Sequence, residues 1–319
     1  SMTGTQHRPK ERKGIRRLLG IPSHALYAVF TGMVSGYPAG PRTVAELVRS
    51  GSLSADDAIR TLPYTLCASP TFLVGTVCVA LLNAPELAPL LAICHFSSAI
   101  LCGLFFRVWY RFFKPNPNGK IHLTDLQKVR PGFSAITERA MQSMLFIGGN
   151  MVLFSIFIRQ IELIGLLRPL AAAVGPILGF LGLSPDLGVS IVEGFIEMAN
   201  GCGEIAKTAL PVDQMGLAAL LIVTFGSLSV AAQSSGMLHG TPLRLRHYLF
   251  PKLIHTMLAF LLYKALLPLL HPVAAPMLWQ PYMQWLANID VPAAALLFSL
   301  FGTLAYLLIL FLVYNRKRK

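Results

Sequence analysis

The sequence predicts an all-α polytopic membrane protein. We expect about six spans and two re-entrant hairpins in an inverted repeat, with broken helices at the membrane midplane. The composition supports this class, because 54% of the 319 residues are hydrophobic and only 13% are charged, whereas soluble domains carry about 25% charged residues. The basic residues form short clusters between apolar segments, as in cytoplasmic loops of membrane proteins. Two segments rich in glycine, one of them also rich in proline, interrupt apolar stretches.

The charge pattern and the cysteines argue against several classes of function. The formal net charge is +13, but the chain shows no basic helix with interleaved aromatic residues for binding nucleic acid. The five cysteines form no CxxC pair and no Cys/His spacing typical of zinc sites. The sequence shows no nucleophile–base pair and no phosphate-binding loop. We therefore expect no enzyme, no partner nucleic acid and no resident cofactor or metal.

The first hairpin is predicted at residues 35–41, where two glycines and two prolines stand in the sequence SGYPAGP. These residues cannot continue a helix, and each flanking apolar segment is shorter than the roughly 20 residues that a span needs. Broken backbone at membrane depth is tolerated inside protein or beside a watery cavity, and transporters place substrate sites at such breaks. The alternative is an interfacial helix followed by an ordinary loop.

The first broken span is predicted over residues 54–82. Ser54 is a suitable N-cap, and acidic residues follow it in the first turn. Pro70 removes a backbone hydrogen bond inside the apolar segment. We interpret residues 67–71 as a discontinuity, the alternative being a simple proline kink. An uninterrupted span follows over residues 87–108.

The second half of the chain shows the same order of features. A span over residues 144–164 is followed by residues 166–183, whose glycines and prolines predict an interfacial segment that does not cross the membrane. A second hairpin then begins at residue 184. It is predicted to break at residues 199–204, which read ANGCGE.

A second broken span is predicted over residues 212–238, with its break in the sequence FGSLS at residues 225–229. Two further spans are predicted over residues 249–270 and 291–314. An interfacial belt with Trp and Tyr lies between them, and a basic tail follows.

These elements predict an internal repeat of opposite orientation. Gly36 lies 33 residues before Ser69, and Gly194 lies 33 residues before Ser227; coincidence is the alternative. With a basic, cytoplasmic N-terminus, the predicted spans place every basic cluster on the cytoplasmic side. The two hairpins then enter from opposite faces of the membrane.

We divide the chain into five segments. They are a basic N-terminal segment (1–20), a first repeat (21–110), a linking region of loop, span and interfacial segment (111–183), a second repeat (184–271), and a belt with the last span and tail (272–319).

Polar groups at membrane depth indicate a binding site. Glu193, Glu197 and Asn200 have a spacing that would place them on one face of a helix, and ionisable groups in membrane segments are functional candidates. The alternative for Glu193 is simple solvation at the outer surface. Glu204 and Lys207 are more typical of a local ion pair. Serines at the breaks either bind a solute or donate a hydrogen bond to the carbonyl of the preceding turn.

We predict a substrate site at the two hairpin tips and the two broken spans. Freed amides at helix N-termini attract carboxylates, and freed carbonyls can hold a coupling cation, Na⁺ or H⁺. The candidate substrate-binding residues are Gly36, Tyr37, Pro38, Gly40, Ser69, Pro70, Thr71, Glu193, Glu197, Asn200, Gly201, Ser227, Ser229 and Gln233.

Four motifs in order resemble a known family. They are SGYPAG at residues 35–40, CASPTF at 67–72, GFIEMANG at 194–201, and FGSLS at 225–229 followed by Gln233. Together they resemble the YlbJ-type sporulation integral membrane proteins, which carry a nucleoside recognition or Gate domain and are distantly similar to concentrative nucleoside transporters. The resemblance covers residues from about 24 to 314. Members of this family often begin with further membrane helices that this chain does not show.

The resemblance implies a role in spore formation and, for this branch, movement of dipicolinate across the outer forespore membrane. The location would be that membrane or the bacterial inner membrane, with the basic termini in the cytoplasm. The partners would be a small solute and the lipid bilayer, and a homo-oligomer is compatible with the sequence. Beside this transporter hypothesis stand two others, a nucleoside-type transporter and a non-transporting structural or assembly factor. A solute that stabilises the purified protein against heat would separate the transporters from the assembly factor.

Overall fold

The regular secondary structure is helical in the computed structural model of the chain, which describes residues 13–113 and 133–270 and shows no β-strand there. This agrees with the predicted all-α class. The α-helices are α1 (Lys13–Leu19), α2 (Leu26–Ser35), α3 (Ala39–Arg49), α4 (Ala55–Thr61), α5 (Ala88–Phe112), α6 (Phe133–Leu163), α7 (Leu167–Phe180), α8 (Gly188–Ile196), α9 (Met198–Ile205), α10 (Val212–Phe225), α11 (Leu228–Leu238) and α12 (Arg246–Leu266). A π-helix spans Thr71–Leu81, and short 3-10 helices span Ser23–Ala25, Leu62–Thr65, Pro85–Leu87 and Pro185–Leu187.

The first hairpin consists of α2 and α3, which pack against each other. The chain turns at Gly36, whose φ of +71° favours glycine, and helix resumes at Ala39. Gly32 and Gly40 face each other across the hairpin, and both lie against the backbone of Thr65. A side chain at either position would push these segments apart, so the glycines permit the close packing.

The first broken span begins as the sequence predicts. Ser54 caps α4, because its Oγ accepts a hydrogen bond of 3.1 Å from the Asp57 amide. After a 3-10 turn that ends at Thr65, residues 66–69 are not helical, and the helix resumes as the π-helix. The gap is therefore a true discontinuity and not a proline kink.

The second hairpin consists of α8 and α9, and its break lies earlier than predicted. The break is at Glu197, which has an extended backbone with φ −141° and ψ 120°. Residues 199–204, predicted as the interruption, instead lie within α9. The prediction that Glu193, Glu197 and Asn200 share one helix face was therefore wrong, because the helix ends between them. Gly201 packs against Gly194 and the Ser190 carbonyl, which explains why glycines stand inside this hairpin.

The second broken span consists of α10 and α11. The interruption is where the sequence places it, at Gly226 and Ser227, which both have positive φ values of 79° and 54°. The Gly226 amide closes α10 through a hydrogen bond of 2.9 Å to the Ile222 carbonyl.

Among the described residues, four helical segments are long and apolar enough to cross a membrane: Pro85–Phe112, Met141–Leu163, Val212–Leu238 and Arg246–Leu266. They correspond to four of the predicted spans. The predicted last span at 291–314, the interfacial belt and the basic tail lie outside the described residues. Helix α7, within the segment predicted not to cross, is a short apolar helix of 14 residues.

Contacts between the two halves are reciprocal. Helix α3 of the first hairpin packs against α11, the second half of the second broken span. Helix α9 of the second hairpin packs against the π-helix, the second half of the first broken span. The intact helices α5 and α12 pack together, and one hydrophobic cluster includes Leu87, Leu220 and Tyr263. Each hairpin is thus seated on the broken span of the other half.

The two equal spacings of 33 residues, from Gly36 to Ser69 and from Gly194 to Ser227, do not start at equivalent positions in the two halves. Gly36 is itself the break of the first hairpin, whereas Gly194 lies inside α8. The break that corresponds to Gly36 in the order of elements is Glu197. What the halves share is the succession of hairpin, broken segment and intact helix.

Candidate functional site

A cavity of about 200 Å³ lies where the hairpins and broken spans come together. It is lined from both halves of the chain and from α6. The first hairpin contributes Ser35 and Tyr37, and the second contributes Glu197 and Met198. The first break adds Ala68, Ser69 and Phe72; α11 adds Val230 and Gln233; α6 adds Ile147 and Met151.

Four predicted site residues line this cavity: Tyr37, Ser69, Glu197 and Gln233. The hairpin tips therefore lie together, since Tyr37 belongs to one and Glu197 to the other. The other ten candidates lie in the surrounding elements and do not line the cavity: Gly36, Pro38, Gly40, Pro70, Thr71, Glu193, Asn200, Gly201, Ser227 and Ser229. No observation on these residues tests whether they bind a solute.

Ser69 marks the N-terminal end of the π-helix. Its Oγ accepts a hydrogen bond of 3.2 Å from the Phe72 amide, which satisfies one of the free donors of that end. Gly36 packs directly on the Ser69 backbone, where a Cβ would have no space. The neighbouring Ala68 amide donates to His95 Nε2 at 2.9 Å. The first break is thus held by backbone contacts on both sides.

Glu197 is the buried carboxylate of the site, with 2% of its surface exposed. Its Oε2 accepts a hydrogen bond of 2.9 Å from the Asn200 amide, so Glu197 caps the N-terminus of α9. The Asn200 side chain turns away from the cavity, because its Nδ2 donates to Ser155 Oγ on α6 at 3.1 Å. Glu197 therefore serves as a cap and also presents its carboxylate to the cavity.

Ser227 and Gln233 organise the second break. Ser227 Oγ accepts from the Val230 amide at 3.3 Å and caps α11. Gln233 Nε2 donates to Ser229 Oγ at 3.2 Å, and both side chains are buried. The predicted ion pair of Glu204 and Lys207 is present at the far end of α9 and takes no part in the cavity.

Lys252 is the important residue that the sequence analysis missed. Lys252 follows Arg244, Arg246 and His247 in the sequence. This basic cluster predicts a cytoplasmic loop where the span over residues 249–270 begins. The structure places it inside α12 with no exposed surface. Its Nζ donates to Tyr37 Oη, and Tyr37 Oη donates to the Val223 carbonyl at 3.0 Å. A lysine that follows a proline within an apolar helix was the available signal.

The cavity is surrounded by helix N-termini. Tyr37 directly precedes the N-cap of α3, Ser69 precedes the π-helix, Glu197 caps α9, and Val230 lies in the first turn of α11. The positive ends of helix dipoles favour anions or oxygen acceptors. Within the described ranges, no cluster of three His, Cys, Asp or Glu side chains could hold a metal ion. The arrangement is therefore suited to holding a polar or anionic solute.

Comparison with known proteins gives one informative similarity. The chain is 26% identical over 289 residues to the sporulation integral membrane protein YlbJ of Bacillus subtilis strain 168, covering 85% of this chain and 68% of that protein. No family model matches the chain, and no solved structure matches it. This is an integral membrane protein similar over most of its length to a sporulation protein, which confirms the YlbJ-type resemblance seen in the four motifs.

Proposed function

We propose that this chain is a transporter that moves a small polar or anionic solute by alternating access. The observation that carries the proposal is the cavity at the meeting point of both hairpins and both breaks. Carriers with inverted repeats bind their substrates between discontinuous helices, and one set of helices then moves against a fixed scaffold. Helices α5 and α12 would form part of that scaffold. The hairpins would be the moving elements.

The electrostatics of the cavity support an anionic solute. Four helix N-termini border it, and the uncharged polar residues that line it include Tyr37, Ser69 and Gln233. The Glu197 carboxylate would repel an anion. Either a proton neutralises Glu197 when the solute binds, or the carboxylate holds a coupling cation beside it. The volume of about 200 Å³ is below the roughly 300 to 1,000 Å³ of pockets for drug-sized ligands, which favours a small solute.

Dipicolinate is the solute that we propose to test first. The proposal rests on the resemblance to YlbJ-type proteins, which implies dipicolinate movement across the outer forespore membrane. An aromatic dicarboxylate also suits the cavity chemically, because helix amides and hydroxyls would hold the carboxylates and Tyr37 would stack on the ring. The proposed location is the outer forespore membrane or the bacterial inner membrane.

The test is uptake of labelled dipicolinate into proteoliposomes that contain the full chain. We expect uptake above that of protein-free liposomes, with saturation at high concentration. Uridine serves as a second probe, because a nucleoside-type carrier would take it up instead. A protein that neither moves nor is stabilised by either solute would contradict the proposal and favour a structural or assembly factor.

A variant links the uptake to the cavity. Gln233→Leu removes a buried polar group that lines it, and we expect dipicolinate uptake to fall by about tenfold, the value of one hydrogen bond of about 1.4 kcal/mol. Gln160→Leu is the matched control, because Gln160 lies on an exposed face of α6. Equal uptake by the two variants would place the solute elsewhere.

A further inference from the structure

Lys252 lies at the junction of the elements that the transport proposal needs to move. Its Nζ donates to Tyr37 Oη of the first hairpin and, at 3.3 Å, to the Leu66 carbonyl at the first break. Gly226 of the second break lies against it, since a Cβ added there would come within 3.3 Å of Nζ. The ammonium group also lies 4.3 Å from the centroid of the Tyr37 ring. One cation from α12 thus contacts a hairpin and both breaks.

The two carbonyls linked to Lys252, one directly and one through Tyr37, belong to the C-terminal ends of helical segments. Leu66 follows the 3-10 turn that ends the first half of the first broken span. Val223, which accepts from Tyr37 Oη, lies in the last turn of α10, the first half of the second broken span. Carbonyls at helix C-termini carry partial negative charge and stabilise cations. Tyr37 therefore lines the cavity, which helix N-termini border, and its hydroxyl bonds both Lys252 and the Val223 carbonyl near a helix C-terminus.

Among residues 13–113 and 133–270, no carboxylate pairs with the Lys252 ammonium. Burying an ammonium without an acidic partner is costly, because the protein interior stabilises a charge less well than water does. Packing alone would be better served by an apolar side chain of similar size.

We propose that the Lys252 ammonium takes the place that a coupling cation would hold between the two breaks. Membrane carriers with broken helices use unwound carbonyls and half-helix C-termini to bind Na⁺. Here the same kind of carbonyl environment is occupied by a cation fixed to α12. The chain therefore binds no Na⁺ between its breaks and needs none to bring the first hairpin against the scaffold. This inference rests on the proposed transport function, since a coupling cation matters only in a transporter. Its test, however, uses no transported solute.

The test is thermal unfolding of the purified full chain in detergent, in NaCl and in N-methyl-D-glucamine chloride at equal ionic strength. Every protein in the test carries Glu197→Gln, which removes the cavity carboxylate that could hold a cation by itself. With this change alone we expect the same Tm in both salts at every concentration. Adding Lys252→Ala leaves the Leu66 carbonyl and the Tyr37 hydroxyl without a cation, so the Tm should rise saturably with Na⁺ by a few degrees and stay constant in N-methyl-D-glucamine. Lys264→Ala is the matched control, because Lys264 is an exposed cation on the same helix, and adding it should leave the Tm independent of Na⁺.

Two results would overturn the inference. The first is a saturable rise of the Tm with Na⁺ in Glu197→Gln that retains Lys252. The second is a folded protein with both Glu197→Gln and Lys252→Ala whose Tm does not depend on Na⁺, because the Leu66 carbonyl and the Tyr37 hydroxyl would then form no cation site. If Lys252→Ala does not fold, Lys252→Ser replaces it and adds a hydroxyl ligand for the ion. A failure of dipicolinate uptake would leave these results unaffected, so the two proposals can fail separately.

Discussion

Glu197 shows how one residue serves both the fold and the proposed transport. Its carboxylate accepts the Asn200 amide and so stabilises the N-terminus of α9, and it also lines the cavity. Capping alone explains its position, because an N-cap exchanged for alanine costs about 1 kcal/mol. Capping does not require a charge, since a neutral oxygen also accepts from the amide. The charge is therefore the property to test.

We expect Glu197→Gln to fold and insert into the membrane as the wild type does, because the amide oxygen still caps α9. Glutamine mimics the protonated carboxyl group, so dipicolinate uptake should change or lose its dependence on pH. Uptake measured from proteoliposomes across a pH series checks this. Glu204→Gln is the control, since Glu204 pairs with Lys207 and does not line the cavity. Normal uptake by Glu197→Gln at every pH would remove Glu197 from the mechanism.

Single residues were predictable where local chemistry decides their role. Ser54 caps α4 as the sequence predicts. Ser227 lies at the predicted break, but its role as the N-cap of α11 was not predicted. The burial of Lys252 was missed, because the basic residues before it suggested a loop and outweighed the signal of a lysine after a proline in an apolar helix. Its burial depends on Tyr37, which lies 215 residues away. Contacts over such distances leave no trace in local charge patterning.

At the scale of elements, glycine has two roles that the sequence does not separate. At Gly36 and Gly226 the backbone needs a positive φ, and the helices end there. At Gly194 and Gly201 the backbone is helical, and the missing side chain lets α8 and α9 approach each other. The predicted break at residues 199–204 treated packing glycines as helix breakers. The actual break at Glu197 shows no glycine at all.

This difference predicts opposite results for two substitutions in α9. A Cβ at Gly201 would collide with the backbone of Gly194 and Ser190, whereas a Cβ at Gly203 meets nothing within 4 Å. Gly201→Ala should therefore destabilise the protein by about 1–3 kcal/mol through overpacking. Gly203→Ala should leave stability unchanged or raise it by up to about 1 kcal/mol, since alanine favours helix. Thermal unfolding of both variants in detergent tests this prediction. A lower Tm for Gly203→Ala than for Gly201→Ala would contradict the close packing assigned to Gly201.

We predict that helix α7 does not cross the membrane. Its 14 residues span about 21 Å, less than the roughly 30 Å of a hydrocarbon core. Cysteines introduced at Ile164 and Asp186, which flank α7, should react with an impermeant maleimide from the same side. The native cysteines are all buried, so the wild-type chain reports the background. Labelling from opposite sides would show that α7 crosses and would reverse the orientation of all later elements.

At the scale of the whole molecule, the order of elements was predictable and their exact correspondence was not. The membrane requires apolar segments of a minimum length and favours basic residues in cytoplasmic loops. Both features are visible directly in the sequence. The equal spacings from Gly36 to Ser69 and from Gly194 to Ser227 do not relate equivalent positions. The two halves differ in loop length and in where their hairpins break. Reciprocal packing of α3 on α11 and of α9 on the π-helix shows how the halves interlock. Such packing is decided by contacts between distant segments.

The proposed inverted repeat makes a final prediction, because hairpins that enter from opposite faces would have their bases on opposite sides. Ser52 lies just after α3 at the base of the first hairpin, and Ala209 lies just after α9 at the base of the second; both are exposed. In inside-out and right-side-out vesicles, we expect an impermeant maleimide to label Ser52→Cys only from the cytoplasmic side and Ala209→Cys only from the outer side. The substitutions are small, and the buried native cysteines give little background. Labelling of both positions from one face would exclude opposite entry, and alternating access would then need a mechanism other than rocking of two inverted halves.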